Sequence, residues 1–293
     1  VTRQDVWFTS GGERIAAWWY PAAGRADGER GTCVVMANGF SMTRHDGLPA
    51  YAQALSDAGA GVLVFDHRFL GDSGGTPRQR FRAGEQLEDW RNALAYVRGR
   101  DDVDPARVVA WGFSFSGGHV TKLLQRDHGL AAGLLVCPFV DGPRRVLSAG
   151  PADIAWLLPR ALADLAGRHT TIPVTAQPGS RAAMTLPGEA DGFARAVPAG
   201  SPWRNEISPG LFATVALHAP WITAARIRVP VWIALGERDV SAPAAGIEAL
   251  ARRAPHAELH RYDHDHFDPF VGEEPARLAA AQIAFLRQRS LLH

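Results

Sequence analysis

Lysine is almost missing from this chain: Lys122 is the only one among 31 Lys and Arg residues, so arginine carries nearly all the positive charge. Thirty Asp and Glu residues balance it, and the formal net charge of +1 offers no electrostatic case for a nucleic-acid or anionic-membrane partner. Cysteine is scarce too. Cys33 and Cys137 both fall in apolar, strand-like runs and are expected as buried thiols; two such residues give no disulfide framework. No apolar run reaches membrane-spanning length and no leader-like segment precedes the first polar residues, so a cytoplasmic protein without a membrane partner is the expectation. Internal repeats and low-complexity tracts are absent as well.

What is present fits a folded enzyme-sized chain. Of 293 residues, 46% are hydrophobic and 21% charged, enough for a large α/β domain with a substantial core. The first residues alternate: Val6 to Thr9, a Gly11-Gly12 turn, then Ile15 to Tyr20, which reads as an antiparallel hairpin. A rhythm of apolar strand, loop and amphipathic helix follows. Strands are expected at Cys33 to Ala37, Gly61 to Phe65, Arg107 to Ala110 and Gly133 to Val140, with helices at Leu48 to Asp57, around Leu87 to Val97 and over Gly118 to Leu124. Continuous apolar strands imply a mostly parallel sheet buried on both faces. The rhythm breaks at Asp141-Gly142-Pro143 and resumes at Val229 to Leu235, with a helix near Ala244 to Arg252, a strand at Glu258 to Tyr262 and a last helix from Pro275 to about Arg289. Residues 141–221 hold a helical stripe (Ile154, Leu157, Leu158, Ala161, Leu162, Leu165) and a Pro- and Gly-rich stretch. They are too long for a loop and are expected to form an inserted helical cap on a core of 1–140 and 222–293, over the carboxyl edge of the sheet.

The chemistry centres on Trp111-Gly112-Phe113-Ser114-Phe115-Ser116-Gly117. A serine flanked by small residues between a strand and a helix is the pattern of a nucleophile elbow, in which Gly112 is small because strand and helix pass closely. A serine hydroxyl is a poor nucleophile near neutral pH and needs a base, which in turn needs a carboxylate to fix its tautomer. Asp239, in the loop closing the strand that ends at Leu235, is the expected acid, with Glu237 and Asp141 as competitors. His266, in Tyr262-Asp263-His264-Asp265-His266-Phe267, is the expected base, with His264 as its rival. The His-x-His spacing, with His260 and Asp263 nearby, also admits a metal reading, but nothing upstream adds a matching cluster, and neither metal nor cofactor is expected. The oxyanion donors are expected to be the backbone N–H groups of Phe115, after the nucleophile, and of Phe40, in Asn38-Gly39-Phe40.

These landmarks, together with Phe65-Asp66-His67-Arg68-Phe69-Leu70-Gly71-Asp72-Ser73-Gly74-Gly75, resemble the α/β-hydrolase superfamily over essentially the whole chain. The chain is similar to bacterial serine esterases and peptidase-like hydrolases and to fungal polyketide transferases of the same architecture. The resemblance implies the α/β-hydrolase fold and a Ser114–Asp239–His266 triad. Two departures stand out: Ser116 occupies a position where the family usually has glycine, which makes it a rival nucleophile, and Asn38-Gly39 replaces the usual His-Gly. The expected function is hydrolysis of an ester, thioester or amide of a small organic molecule through an acyl-enzyme on Ser114. The alternative is acyl transfer, elimination or cyclisation on a polyketide-like natural-product intermediate. Trp156, Phe193, Trp203 and Trp221, with Met184 and Phe212, are the candidate substrate-binding residues for an apolar or aromatic group. Arg144, Arg145 and Arg181 stand either to meet a carboxylate or in solvent. A homodimer is compatible with these readings.

Overall fold

The computed structural model describes residues 2–26, 28–126 and 129–293. Eight strands form one sheet in the order β1-β2-β4-β3-β5-β6-β7-β8: β1 Gln4–Ser10, β2 Glu13–Tyr20, β3 Gly31–Ala37, β4 Gly61–Phe65, β5 Val103–Phe113, β6 Leu130–Val136, β7 Val231–Gly236 and β8 Ala257–Tyr262. The hairpin β1–β2 is antiparallel, β2 joins β4 antiparallel, and every other neighbouring pair is parallel. The mostly parallel sheet is thus as expected, with the hairpin at one edge.

Alternation along each strand supplies two cores. Val34, Met36, Val109 and Trp111 turn to one face, against the helices α1 Leu48–Asp57 and α8 Glu274–Arg287. Cys33, Val35, Val108 and Ala110 turn to the other, against α2 Ala83–Arg98, α3 Ser114–Leu124 and α7 Ala244–Arg253. Both sets are buried, because parallel strands linked by crossover helices are covered on both sides.

Residues 141–221 add no strand to this sheet. They contain α4 Gly142–Leu147, α5 Pro151–Leu165, α6 Glu189–Ala196, three 3-10 turns and two isolated bridges, Ile172 with Ile207 and Thr175 with Met184. Two details differ from the sequence reading. The strand read as Gly133 to Val140 ends at Val136, because Cys137 adopts a left-handed φ of 43° and Pro138 has no N–H to donate. The apolar stripe of α5 does form a helix, but Leu162 and Leu165 are exposed, and Ile154 and Leu158 are left accessible along the cavity in front of Ser114. Of the stripe, Ala161 is fully buried, and the off-stripe Asp164 is buried beside it, its carboxylate accepting the Gly210 N–H at 2.9 Å and pairing with Arg82 at 2.7 Å.

Candidate active site

The end of β5 and the start of α3 meet without an intervening residue, so the chain reverses at Ser114 itself. Its φ is 50°, in the left-handed region that a serine seldom occupies. A Cβ on Gly112 would lie 2.5 Å from the Ser116 carbonyl oxygen, so the strand–helix crossing tolerates no side chain there. The Phe139 N–H donates to the Ser114 carbonyl at 2.8 Å and ties the turn to the segment after β6.

Loops after β7 and β8 bring two further groups to this turn. His266 Nε2 lies 2.9 Å from Ser114 Oγ, and His266 Nδ1 lies 2.6 Å from Asp239 Oδ2. The carboxylate can only accept, so Nδ1 carries the proton and Nε2 is free to accept from the Ser114 hydroxyl. The other Asp239 oxygen accepts the N–H groups of Ser241 and Ala242, both at 2.8 Å. One carboxylate oxygen is therefore fixed by backbone while the other holds the imidazole. The side chains of His266 and Asp239 are almost fully buried. Cys137 also comes close: its sulfur and ligand atoms of Asp239 and His266 lie within 4.8 Å of one another. Burial first, then the Asp239 charge, holds that thiol well above its ordinary value, so it stays S–H beside the carboxylate. From the sequence Cys137 is expected only in the core, and its position next to an acid in the loop after β7 has no local signal.

The competitors are engaged elsewhere. Glu237 is exposed and faces Arg261 at 3.9 Å. Asp141 caps α4 and pairs with Arg144 at 3.0 Å. His264 stacks on Tyr262 and bonds Glu274 at 2.7 Å. His260 stacks on Trp232, and Asp263 pairs with Arg238 at 2.6 Å. The four residues of the metal reading thus point to different partners.

The loop after β3 packs directly on the serine: a Cβ on Gly39 would lie 2.7 Å from Ser114 Cβ. Asn38 closes this loop, its amide donating to the carbonyls of Thr43 at 2.9 Å and Asp46 at 2.7 Å. Asp46 in turn accepts the Thr43 N–H at 2.6 Å and the Ser201 hydroxyl at 2.6 Å. Among the described residues, neither the Phe40 nor the Phe115 N–H finds a protein acceptor. Two unpartnered amides on the loop and helix turn that flank Ser114 are what a developing oxyanion requires.

Ser114 opens into a cavity of about 310 Å³ whose walls come from the elbow, the Phe40 loop and residues 141–221. The wall is mostly apolar, with Phe40, Phe139, Trp156, Met184, Phe193 and Phe212 contributing. Trp156 and Phe193 thus reach the cavity. Trp203 and Trp221 do not, which corrects their expected role. Trp203 stacks behind Phe193 at 5.4 Å and donates its indole N–H to Ser41 at 3.1 Å. Trp221 packs into the opposite core beneath Arg253. Of the three arginines, Arg145 lines the cavity, while Arg144 and Arg181 pair with Asp141 and Asp153.

Helix α6 grips both loops that carry the acid and the base. Glu189 accepts the Ser241 hydroxyl at 2.8 Å, and Arg195 pairs with Asp265 at 2.7 Å and Asp268 at 3.2 Å. Burial would raise the Asp265 carboxyl, but the amides of Phe267 and Asp268 and the Arg195 charge outweigh it and hold it below its usual value.

A family model described as "Serine aminopeptidase, S33" matches residues 28–267. The chain is 35% identical over 290 residues to the quorum-quenching protein AidA of Acinetobacter baumannii, a match that covers 97% of this chain and 94% of that one. It is 28% identical over 169 residues to polyketide transferase grgF of a Penicillium species, covering 57% and 54%. The crystal structure of α/β hydrolase GrgF from Penicillium sp. sh18 superposes with a TM-score of 0.83 at 25% identity, over 99% of each chain.

Proposed function

The chain belongs to this serine aminopeptidase family of α/β-hydrolases, and from that premise we propose that it is a serine hydrolase acting on an ester, thioester or amide of a small molecule with a bulky apolar group. The observation that carries the proposal is the unbroken line Ser114–His266–Asp239, at 2.9 and 2.6 Å, facing an apolar cavity. In this reading Ser114 Oγ attacks the carbonyl carbon as its proton passes to His266 Nε2. Asp239 stabilises the imidazolium, and the Phe40 and Phe115 amides receive the charge on the carbonyl oxygen. His266 then protonates the leaving group, and a water repeats the sequence on the acyl-enzyme. Residues 141–221 act as the cap that supplies the apolar wall.

Acyl transfer, elimination or cyclisation on a polyketide-like intermediate is the second reading. It is favoured by the name of the polyketide transferase relative and by the mostly apolar wall of the cavity in front of Ser114. Both readings need the acyl-enzyme, so one experiment tests their common step. A fluorophosphonate probe followed by intact-mass analysis should add one adduct at Ser114, and Ser114→Ala should abolish both the adduct and turnover of p-nitrophenyl acetate, a loss of at least about 10³-fold. An unlabelled wild type, or an adduct on Ser116, would overturn the assignment. Product analysis with an added alcohol or amine then separates the readings: hydrolysed product alone favours the first.

A further inference from the structure

Ser116, His67 and Asp89 form a second line of hydroxyl, imidazole and carboxylate behind the elbow, and all three are buried. Resting on the serine-hydrolase reading above, we infer that Ser116 and His67 are positioning residues for the oxyanion loop, through the hydrogen bond from Ser116 to the Asn38 carbonyl.

Ser116 sits in the first turn of α3, two residues after Ser114. Its hydroxyl donates to the Asn38 carbonyl oxygen at 2.5 Å. With that hydrogen committed, His67 Nε2, at 3.4 Å from Ser116 Oγ, can only be a donor to the hydroxyl oxygen. His67 Nδ1 lies 3.4 Å from Asp89 Oδ2 without a hydrogen bond between them, and Asp89 is itself held by the Arg68 side chain at 2.6 Å and its N–H at 3.0 Å. Burial would raise the Asp89 carboxyl, but His67, Ser10 and Arg68 outweigh it and keep the group ionised below its usual value.

The direction of this line decides its role. The hydroxyl proton goes to a backbone carbonyl and not to the imidazole, so no base is available to activate Ser116. Its side chain does not reach the cavity either. What it does reach is the peptide that begins the Asn38-Gly39-Phe40 turn. The first turn of α3 therefore carries the attacking oxygen, the Phe115 N–H, and an anchor that sets the loop bearing the Phe40 N–H. Asn38 is gripped twice: its side chain bonds within the loop to Thr43 and Asp46, and its carbonyl bonds across to the elbow. Only the second grip fixes the distance between the two oxyanion donors. Removing it leaves the Asn38 carbonyl buried without its partner, and the loop shifts away from the elbow to regain one.

The test compares an oxoester with its thionoester analogue, because a thiocarbonyl gains much less from oxyanion hydrogen bonds while using the same serine, base and cavity. Ser116→Ala should lower kcat on the oxoester about ten- to a hundredfold with KM within about twofold, and should shrink the oxoester-to-thionoester rate ratio about tenfold. Ser116→Thr, which keeps a hydroxyl, should recover most of the loss, and His67→Leu, which leaves Ser116 in place, should shrink the same ratio severalfold. Fluorophosphonate labelling of the wild type at Ser114 separates the two levels. Without that label the parent reading fails and takes this inference with it. With it, a Ser116→Ala protein that keeps its rate ratio, or loses both rates equally, defeats this inference alone.

Discussion

The line Ser114–His266–Asp239 and the line Ser116–His67–Asp89 contain the same three residue types, start two residues apart, and differ in every respect that chemistry cares about. The first has short contacts, 2.9 and 2.6 Å, a serine at φ 50°, and a cavity in front of it. The second has contacts of 3.4 Å at both joints, a serine in ordinary helical backbone, and a carbonyl in front of it. Residue identity therefore does not make a nucleophile. A hydroxyl becomes one when its proton has an imidazole to go to and its oxygen has space for a substrate. When a carbonyl takes the proton, the same hydroxyl becomes a strut.

The sharpest way to break this comparison is to neutralise each acid without changing its shape. Asp239→Asn should lower kcat on the order of 10⁴-fold, because the imidazole tautomer is reversed, while leaving the urea midpoint nearly unchanged. Asp89→Asn should do the opposite: it removes the buried carboxylate that Arg68 pairs with, leaving Arg68 with Glu88 and Ser10, and costs about 1–3 kcal/mol of stability, with a far smaller fall in kcat. Equal effects of the two substitutions on kcat would erase the distinction.

A second, smaller effect separates the two regions by pH. Behind the elbow, His218 stacks on Phe115 and accepts from Lys122 at 3.2 Å. Burial first and the Lys122 charge second push its imidazole down to about 3. Its reference value is about 6.5, so between those values the unfolded chain binds a proton that the folded one refuses. That contribution to stability is complete above about pH 6.5 and is lost as pH falls toward 3. Urea midpoints measured from pH 7 to 4 should drop less steeply for His218→Gln than for the wild type. Parallel curves would mean that His218 takes up its proton in the folded state, as the imidazole of the proposed triad must do during turnover.

The smallest expected effect concerns the support of the open line by α6. Arg195 is partly exposed, and its ion pairs with Asp265 and Asp268 are screened. Arg195→Gln should reduce kcat severalfold at most, with stability changed by less than about 1 kcal/mol. A loss as large as that of Ser116→Ala would show that α6, and not the proposed elbow brace, limits the geometry of the site.

Much of this was legible in residue order. The alternation of Val6 to Tyr20 marked the hairpin, and the apolar runs ending before Asn38, Asp66, Ser114 and Glu237 marked strands whose carboxyl ends carry polar loops. The chain order serine, aspartate, histidine singled out three residues that the structure brings within hydrogen-bonding range. Other features had no local signature. Trp203 and Phe193 are both aromatic residues of one Pro- and Gly-rich stretch, and only packing puts one on the cavity wall and the other behind it. The stripe of α5 has the period of a buried face, yet only Ala161 of it is fully buried, while Ile154, Leu157 and Leu158 line the open cavity and Leu162 and Leu165 are exposed. His67 sits in a loop motif that gave no hint of Ser116, 49 positions downstream.

By itself, then, the sequence determined what is local: which runs are strands, which helices are amphipathic, and that a serine flanked by Gly112 and Ser116 lies where a strand turns into a helix. Those follow from periodicity and backbone sterics within a few residues. Tertiary structure alone decided which of two neighbouring serines faces a base, which carboxylate meets which imidazole, and which aromatic rings face the cavity. The Ser114, His266 and Asp239 contacts alone join residues 27 and 152 positions apart, and hydrogen-bond direction and packing at such separations leave no imprint on neighbouring residues.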